Sequence, residues 1–438
     1  MKISRATAPA LLIAVSLLGS EVKAATLEEV ITHTLTGNPQ TQASLNRYRA
    51  SGEVVQVSRG GFLPTVDFRS GIGHERIDSP TTRASGKSDQ DFTPTENTLT
   101  LNQNLFDGLA TTNDYRKSKE LRESRKEQLR AKAEMLALDV SEVYLRVLDG
   151  RKQVELAKDN LKTHEHIYNL VQQRSDKGIT NQSDLFQIEG RLARARANLI
   201  TARNNLQDSE SQYMRLVNRR PDDLSTPFFD DQALPAALDE AIQQAMKEHP
   251  AIIASNFELQ ASQFGYDGTR GKFLPTLDLS LSQRWDKDVK GVSGKEDDTM
   301  AMLTMHYNLF NGGSDMARRQ EAAYKVEENK ANQMDTHQAV VETLRIAWAS
   351  FVNTNEEQPH LKRHMDASAK TVAAYKQQFE IGKRSLLDVL DSENESYQAK
   401  RAYTSSSFRG MQARYRILSG MGQMLNKLNV NMPAEWQG

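Results

Sequence analysis

The 438-residue chain contains no cysteine. That removes disulfides, thiolate metal ligands and thiol catalysis together, and with them a lipid anchor on an N-terminal cysteine. Long apolar runs are missing too. Ala10 to Leu18 is the most apolar stretch, and it falls short of the roughly 20 residues a membrane-spanning helix needs. Contact with a membrane must then come through β-strands or a partner. Hydrophobic residues make up 38% of the chain and charged ones 26%, a balance that favours extended helices with much wet surface over one globule. An excess of charge of one sign is also lacking. The formal net charge is −1, which points to no nucleic-acid partner.

What is present begins with a leader. Lys2 and Arg5 precede the short apolar run, and Val22-Lys23-Ala24 offers a small-residue cleavage site, so residues 1–24 read as a secretory signal peptide.

The remainder is two copies of one unit. Asn38-Pro39 returns as His249-Pro250, and Phe62-Leu63-Pro64-Thr65 as Phe273-Leu274-Pro275-Thr276, both 211 residues later. Leu105-Phe106-Asp107-Gly108 returns as Leu309-Phe310-Asn311-Gly312, and Gly178 with Asp184 as Gly382 with Asp388, both 204 residues later. The first unit covers residues 25–232 and the second 233–428, with a tail at 429–438.

Within each unit the hydrophobic period changes. Val66, Phe68 and Ile72 alternate with Asp67 and Arg69; Leu277, Leu279 and Leu281 alternate with Asp278, Ser280 and Ser282. Period two predicts strands over about 64–76, 97–106, 275–286 and 299–310. Alternation by itself fits a membrane strand with a lipid face, and equally a half-buried soluble hairpin. Around the strands lie helical stretches of about 65 residues, from Gly108 to Ser175 and from Gly313 to Phe379, the latter interrupted near Pro359. At 1.5 Å per residue each reaches roughly 100 Å, which implies a coiled coil or helical tube. They end in helical hairpins with turns at about 176–183 and 380–385. Pro64 and Pro275 mark the helix-to-strand change, Gly108 and Gly312 the return. Four strands cannot close a membrane barrel alone, so the barrel must be shared between subunits. The loops at about 77–97 and 287–298 then lie on the far side, outside the cell.

The duplication, the two Phe-Leu-Pro and Leu-Phe-(Asp/Asn)-Gly motifs, and above all Gly382-Lys383-Arg384-Ser385-Leu386-Leu387-Asp388-Val389-Leu390-Asp391 resemble the TolC family over essentially the whole mature chain. The resemblance implies a mainly α fold with a small β part. A long α-helical coiled-coil barrel joins a four-strand contribution to a shared 12-stranded transmembrane β-barrel, in a homotrimer. It implies a channel, not an enzyme, with no cofactor and no metal. The channel would sit in outer-membrane lipid and extend into the periplasm, meeting a periplasmic adaptor and an inner-membrane ABC transporter or other pump. Gly71-Ile72-Gly73-His74-Glu75-Arg76 and Thr82-Arg83 resemble members that serve type I protein secretion.

Carried over by resemblance, Asp388 and Asp391 are the acidic rings of a periplasmic gate. Arg384 is the lock, partnered by Asp184 and Ser183. Phe379 stands where the family's best-known member has a tyrosine, so one closing hydrogen bond is absent or replaced. The hairpin tips, Gly178 and Ile179 with Gly382 and Lys383, are where relatives meet the adaptor. Structural readings stand beside these. Ser385-Leu386-Leu387-Asp388 is a capping box, each tip glycine is a helix stop, and Asp391 also fits a solvated helix face.

Several signals lead nowhere by their spacing. Gly268-Thr269-Arg270-Gly271-Lys272 lacks the phosphate-loop pattern, because Phe273 follows; His164-Glu165-His166 cannot put two histidines on one helical face. Arg191, Arg194 and Arg196 read as a solvated coiled-coil face. Two rivals remain: drug or metal efflux through the same architecture, and a periplasmic coiled-coil scaffold without a pore.

Overall fold

The computed structural model describes residues 24–84, 86, 89–178, 181–229, 233–430, 432, 433 and 436. The leader up to residue 23, the tip residue Ile179 and the repeat boundary at 232 lie outside the described residues.

Each repeat opens with a broken helix. α1 (Leu27–Gly37) is started by Thr26, which accepts the N–H of Glu29 at 3.3 Å while the Glu29 carboxylate accepts the Thr26 N–H at 3.1 Å. α2 (Pro39–Gly60) follows directly. Asn38 is pushed to an extended backbone by the proline after it, and its side chain accepts the N–H of Gln40. The second repeat does the same between α6 (Leu238–Glu248) and α7 (Pro250–Gly268). There His249 takes the capping position and Nδ1 accepts the N–H of Ala251 at 3.2 Å.

The first strand excursion comprises β1 (Thr65–Ile72), β2 (Glu75–Ile77), the short α3 (Pro80–Ala84), β3 (Gln90–Phe92) and β4 (Thr95–Phe106). The second is simpler: β5 (Thr276–Lys287) and β6 (Lys295–His306). Pro64 and Pro275 immediately precede β1 and β5, as expected. The expected strand over 64–76 is cut at Ile72, where the Gly73 N–H turns to the carbonyl of Pro94. What was expected as a plain loop over 77–97 carries the separate sheet β2–β3, and Thr82, Phe92 and Val289 are buried at this end of the molecule. Gly291, at φ +75°, is the point of contact: a Cβ there would stand 2.7 Å from Thr82 Cγ2. β6 starts earlier than expected, at Lys295, because the ladder with β5 continues to the Lys287–Lys295 pair. It ends at His306 and not 310, since residues 307–310 meet no strand within the protomer.

Two helices of equal length leave the sheet: α4 (Ala110–Asp176) and α8 (Ser314–Glu380), each of 67 residues and so about 100 Å long. α5 (Gln182–Val217) and α9 (Leu386–Gly420) return from their tips. α8 runs through Pro359 without the break expected there. Its side chain is exposed, and a missing N–H is tolerable where neighbouring turns and water can satisfy the freed carbonyl.

The main core forms a belt part-way along the helices. Leu27 and Ile31 of α1, Leu45 of α2, Val140 and Tyr144 of α4, Tyr213 of α5 and Tyr415 of α9 meet there with α10 (Met424–Lys427). Tyr144 Oη lies 2.6 and 2.8 Å from the carbonyls of Ser225 and Ala25, tying both chain segments to the belt. The tail contributes too, since Val430 and Trp436 are buried in this core.

Candidate functional site

The four long strands form one antiparallel sheet in the order β1-β4-β5-β6. Both hairpins share one register. Thr65 faces Asn102, and the residues 211 and 204 positions later, Thr276 and His306, face each other likewise. Pairing lines up Val66, Leu101, Leu281 and Ala301 across the sheet, and Asp67, Thr100, Ser282 and Met300 on its other side. The apolar side is left open: Phe68 is 65% exposed, Leu303 60% and Met305 68%. Among the described residues, no strand pairs the outer edge of β1 or of β6. An apolar face without cover, on a sheet with two free edges, excludes the soluble half-buried hairpin. It fits lipid on one face and neighbouring strands at the edges. No helix among the described residues is long and apolar enough to cross a membrane.

The return from strand to helix is a close backbone crossing. Gly108 takes φ +68°, and a Cβ on it would stand 2.5 Å from the Cα of Gly271; a Cβ on Gly271 would stand 2.6 Å from the Asp107 carbonyl oxygen. Gly271, which in sequence looked only like part of a failed phosphate loop, is there because backbones touch. Asp107 starts α4 by accepting the Thr111 N–H at 2.8 Å. Gly312, at φ +57°, has open space around it in the protomer.

At the opposite end are the hairpin tips. Gly178 and Gly382 both take φ +72°, the left-handed stop expected of them. Lys383 donates its N–H to the Gln378 carbonyl at 2.8 Å. Ser385 and Asp388 form the expected capping box, with N–H to side-chain distances of 3.2 and 3.3 Å, and this hydrogen bonding holds the Asp388 carboxyl below its ordinary value. Arg384 stacks over the Tyr375 ring at 4.2 Å, donates to Gln378 Oε1 at 2.9 Å and lies 3.8 Å from Asp388. These partners are all in its own hairpin. Ser183 is exposed and Asp184 lies in the first turn of α5.

Two contacts that the sequence did not announce join the hairpins. Arg174 of α4 sits 5.0 Å from the Phe379 ring centroid, so the ring without a hydroxyl is engaged by a cation. Arg191 of α5 pairs with Asp391 of α9 at 2.5 Å. Arg191 is only 27% exposed, unlike the solvated residue expected, whereas Arg194 and Arg196 are exposed as expected. Beneath them Ile167, Val171 and Ile188 pack with Leu386, Val389 and Leu390. Only the spacing of Ile188 to Arg191, one helical turn, hinted that this arginine borders a buried face. His164 is a core residue, 4% exposed, with Nδ1 2.8 Å from the Asn160 carbonyl.

Residues 30–219 and 241–416 match the sequence profile of the outer membrane efflux protein family. The chain belongs to that family. Its members are outer-membrane transport channels and not enzymes; they act as trimers with periplasmic adaptors and inner-membrane transporters. This efflux-family chain is 22% identical over 405 residues to the outer membrane efflux protein BepC of Brucella suis, covering 91% of this chain and 87% of that one. It is 23% identical over 412 residues to the alkaline protease secretion protein AprF of Pseudomonas aeruginosa, covering 88% and 82%. Its fold is similar to the Campylobacter jejuni CmeC outer membrane channel, with a TM-score of 0.81 at 15% identity, over 97% of this chain and 94% of that one. The channel is therefore an outer-membrane protein whose helices extend into the periplasm.

Proposed function

We propose that this channel is the trimeric exit duct of a type I protein secretion system. Substrate would pass from an inner-membrane ABC transporter, through an adaptor docked at the Gly178 and Gly382 tips, to the cell exterior. The observation that carries the duct reading is the open apolar sheet with free edges, set about 100 Å from the hairpin tips. Support for secretion comes from the Gly71–Arg76 stretch and from likeness to a protein named for protease secretion. Likeness of the same strength to a relative named for efflux favours the second reading, a drug or metal pump. Deleting the gene separates them. Secretion predicts that a protein substrate of the partner transporter is made but stays inside the cell. Continued secretion with heightened sensitivity to small toxic compounds replaces it by efflux.

The trimer has its own geometric support in the repeat. Within one protomer β4 pairs β5 and Gly108 crosses Gly271. Repeat offsets turn β4 into β6, β5 into β1, Gly108 into Gly312 and Gly271 into Gly60. β6 of one protomer would thus pair β1 of the next, with Gly312 crossing Gly60. Among the described residues nothing comes within 4 Å of a Cβ placed on either glycine, and Leu309 and Phe310 beside Gly312 are more than four-fifths exposed.

Asp388 and Asp391 then line the acidic constriction, up to six carboxylates about one axis, and those left unpaired attract cations where low-dielectric walls focus the field. Arg384 locks the closed state by reaching Asp184 or Ser183 across coils, which requires it to leave Gln378 and Asp388.

A further inference from the structure

We propose that Arg191 sets both the charge and the closed state of the periplasmic constriction, by pairing with Asp391 across the two hairpins of a protomer. The inference rests on the reading of Asp388 and Asp391 as constriction acids and adds a residue to it.

The two acids are used differently. Asp388 is held by the start of its own helix, through Ser385, with Arg384 alongside. Asp391, one turn further into α9, has no part in the cap. Its carboxylate meets Arg191 Nη2 at 2.5 Å, and Arg191 belongs to the other hairpin. Both backbones are positioned by packing. Ile188, one turn before Arg191, and Leu390, adjacent to Asp391, are fully buried in the cluster that joins α4 and α5 to α8 and α9. The pair therefore forms on a prebuilt seam, and little extra ordering is needed beyond the two side chains themselves.

Two consequences follow. A constriction can widen only if tips move relative to one another, and any motion that parts α5 from α9 breaks this pair. It also uncovers a carboxylate. While paired, Asp391 adds little net charge at the axis, because a guanidinium stands against it. Once parted, Asp391 contributes its full charge, three per trimer. Cation attraction is then weak in the closed channel and strong in the open one, and Arg191 is the residue that makes it so.

The experiment is planar-bilayer recording of detergent-purified trimer carrying Arg191→Gln, Arg191→Lys, Asp391→Asn, Asp388→Asn, the double variant D388N/D391N, and the charge swap R191D/D391R. Reversal potentials in a KCl gradient and the half-blocking concentration of hexamminecobalt(III) added from the periplasmic side are read for each. Arg191→Gln is expected to raise resting conductance, with an open fraction up by roughly 1.5- to 5-fold for each pair lost. It is also expected to raise cation selectivity and lower the half-blocking concentration. Arg191→Lys stays near the parent, and the swap returns resting conductance to it. Parental conductance and selectivity in Arg191→Gln, at unchanged trimer mass, overturn the proposal. So does a swap that stays as open as the single variant, because the latch then was not the ion pair. If Asp388→Asn, Asp391→Asn and their combination all keep parental selectivity, the acidic-ring reading itself fails. That result overturns the charge half of the inference whatever Arg191→Gln does to conductance.

Discussion

A Cβ on Gly108 would stand 2.5 Å from the Cα of Gly271, so two backbones cross where strand becomes helix and neither residue has room for a side chain. The crossing ties the end of β4 to the start of the second repeat's strand pair. It joins the four-stranded sheet to the long helices.

Gly108→Ala should destabilise the protomer by roughly 1–3 kcal/mol, from the left-handed backbone and the forced separation together. Gly312→Ala meets only the backbone strain within the protomer, but the proposed crossing with Gly60 of the next subunit adds the clash on assembly. Thermal melting and oligomer mass in detergent check this. Gly108→Ala lowers the melting temperature of the protomer fold, while Gly312→Ala chiefly lowers trimer yield. Normal assembly of Gly312→Ala would argue against the repeat-related interface.

The same offsets set the register between subunits. Leu101 faces Leu281 within the protomer, so Met305 should face Ser70 of the neighbour. The chain has no cysteine, so Met305→Cys with Ser70→Cys gives a clean oxidative test. Opposed residues on paired strands lie about 4.5–5.5 Å apart between Cα atoms, within disulfide reach. Covalent dimers and trimers on a non-reducing gel are the expected result. Pairing Met305→Cys with Gly71→Cys should cross-link poorly, because a one-residue shift places the side chains on opposite faces.

Two groups among the helices, both withdrawn from water, oppose each other in pH. Glu134 is buried against the start of α10, where its carboxylate accepts the N–H groups of Met424 and Leu425, at 2.9 and 3.3 Å. Burial outweighs those bonds and raises its pKa to about 7. His249 is half-buried as the α7 cap, and its loss of water contact lowers its pKa to about 4. Between pH 4.5 and 7 the folded chain holds a proton on Glu134 that the unfolded chain has released, so this group's contribution grows as pH falls. Between 6.5 and 4 the unfolded chain protonates His249 and the folded one does not, so that contribution shrinks as pH falls. Each amounts to at most about 3 kcal/mol, and they largely cancel in the parent. Glu134→Gln should unmask acid lability. His249→Asn, which installs the residue found at Asn38 of the first repeat, should leave a protein that gains stability on acidification to pH 5. Melting temperatures across pH 4.5–7.5 are the measurement, and parallel curves for all three proteins would contradict both assignments.

At the tip, cap and charge can be separated at Asp388. Asparagine keeps an oxygen for the Ser385 N–H and removes the charge; alanine removes both. Asp388→Asn should lower cation selectivity in bilayers while amide exchange at the first turn of α9 stays parental. Asp388→Ala should lower selectivity and speed that exchange. If selectivity is unmoved in both and exchange rises only in the alanine variant, Asp388 is a helix cap and nothing more.

Much of this architecture is written locally. The period-two runs, the prolines before β1 and β5, the glycines at φ +72° and the capping box at Ser385 were legible in sequence, because each depends on a residue's own backbone preference or on neighbours three or four positions away. The 211- and 204-residue offsets went further, since a repeated pattern implies a repeated register, and the register is indeed the same in both hairpins. What depended on residues distant in the chain was hidden. Strand ends at Ile72 and His306 follow from where a partner strand stops. The passage of α8 through Pro359 was hidden as well, because intrinsic preference alone predicts a break there. Gly271 carries no local sign that Gly108 touches it, and Arg191 reads as one of three solvated arginines until α9 brings Asp391 to it across 200 residues. Sequence by itself determined the long strands and helices, their order and their duplication, through short-range sterics and hydrogen bonding. Only the tertiary structure decided which backbones cross and which charges are paired. Those depend on distances between helices that no local pattern encodes.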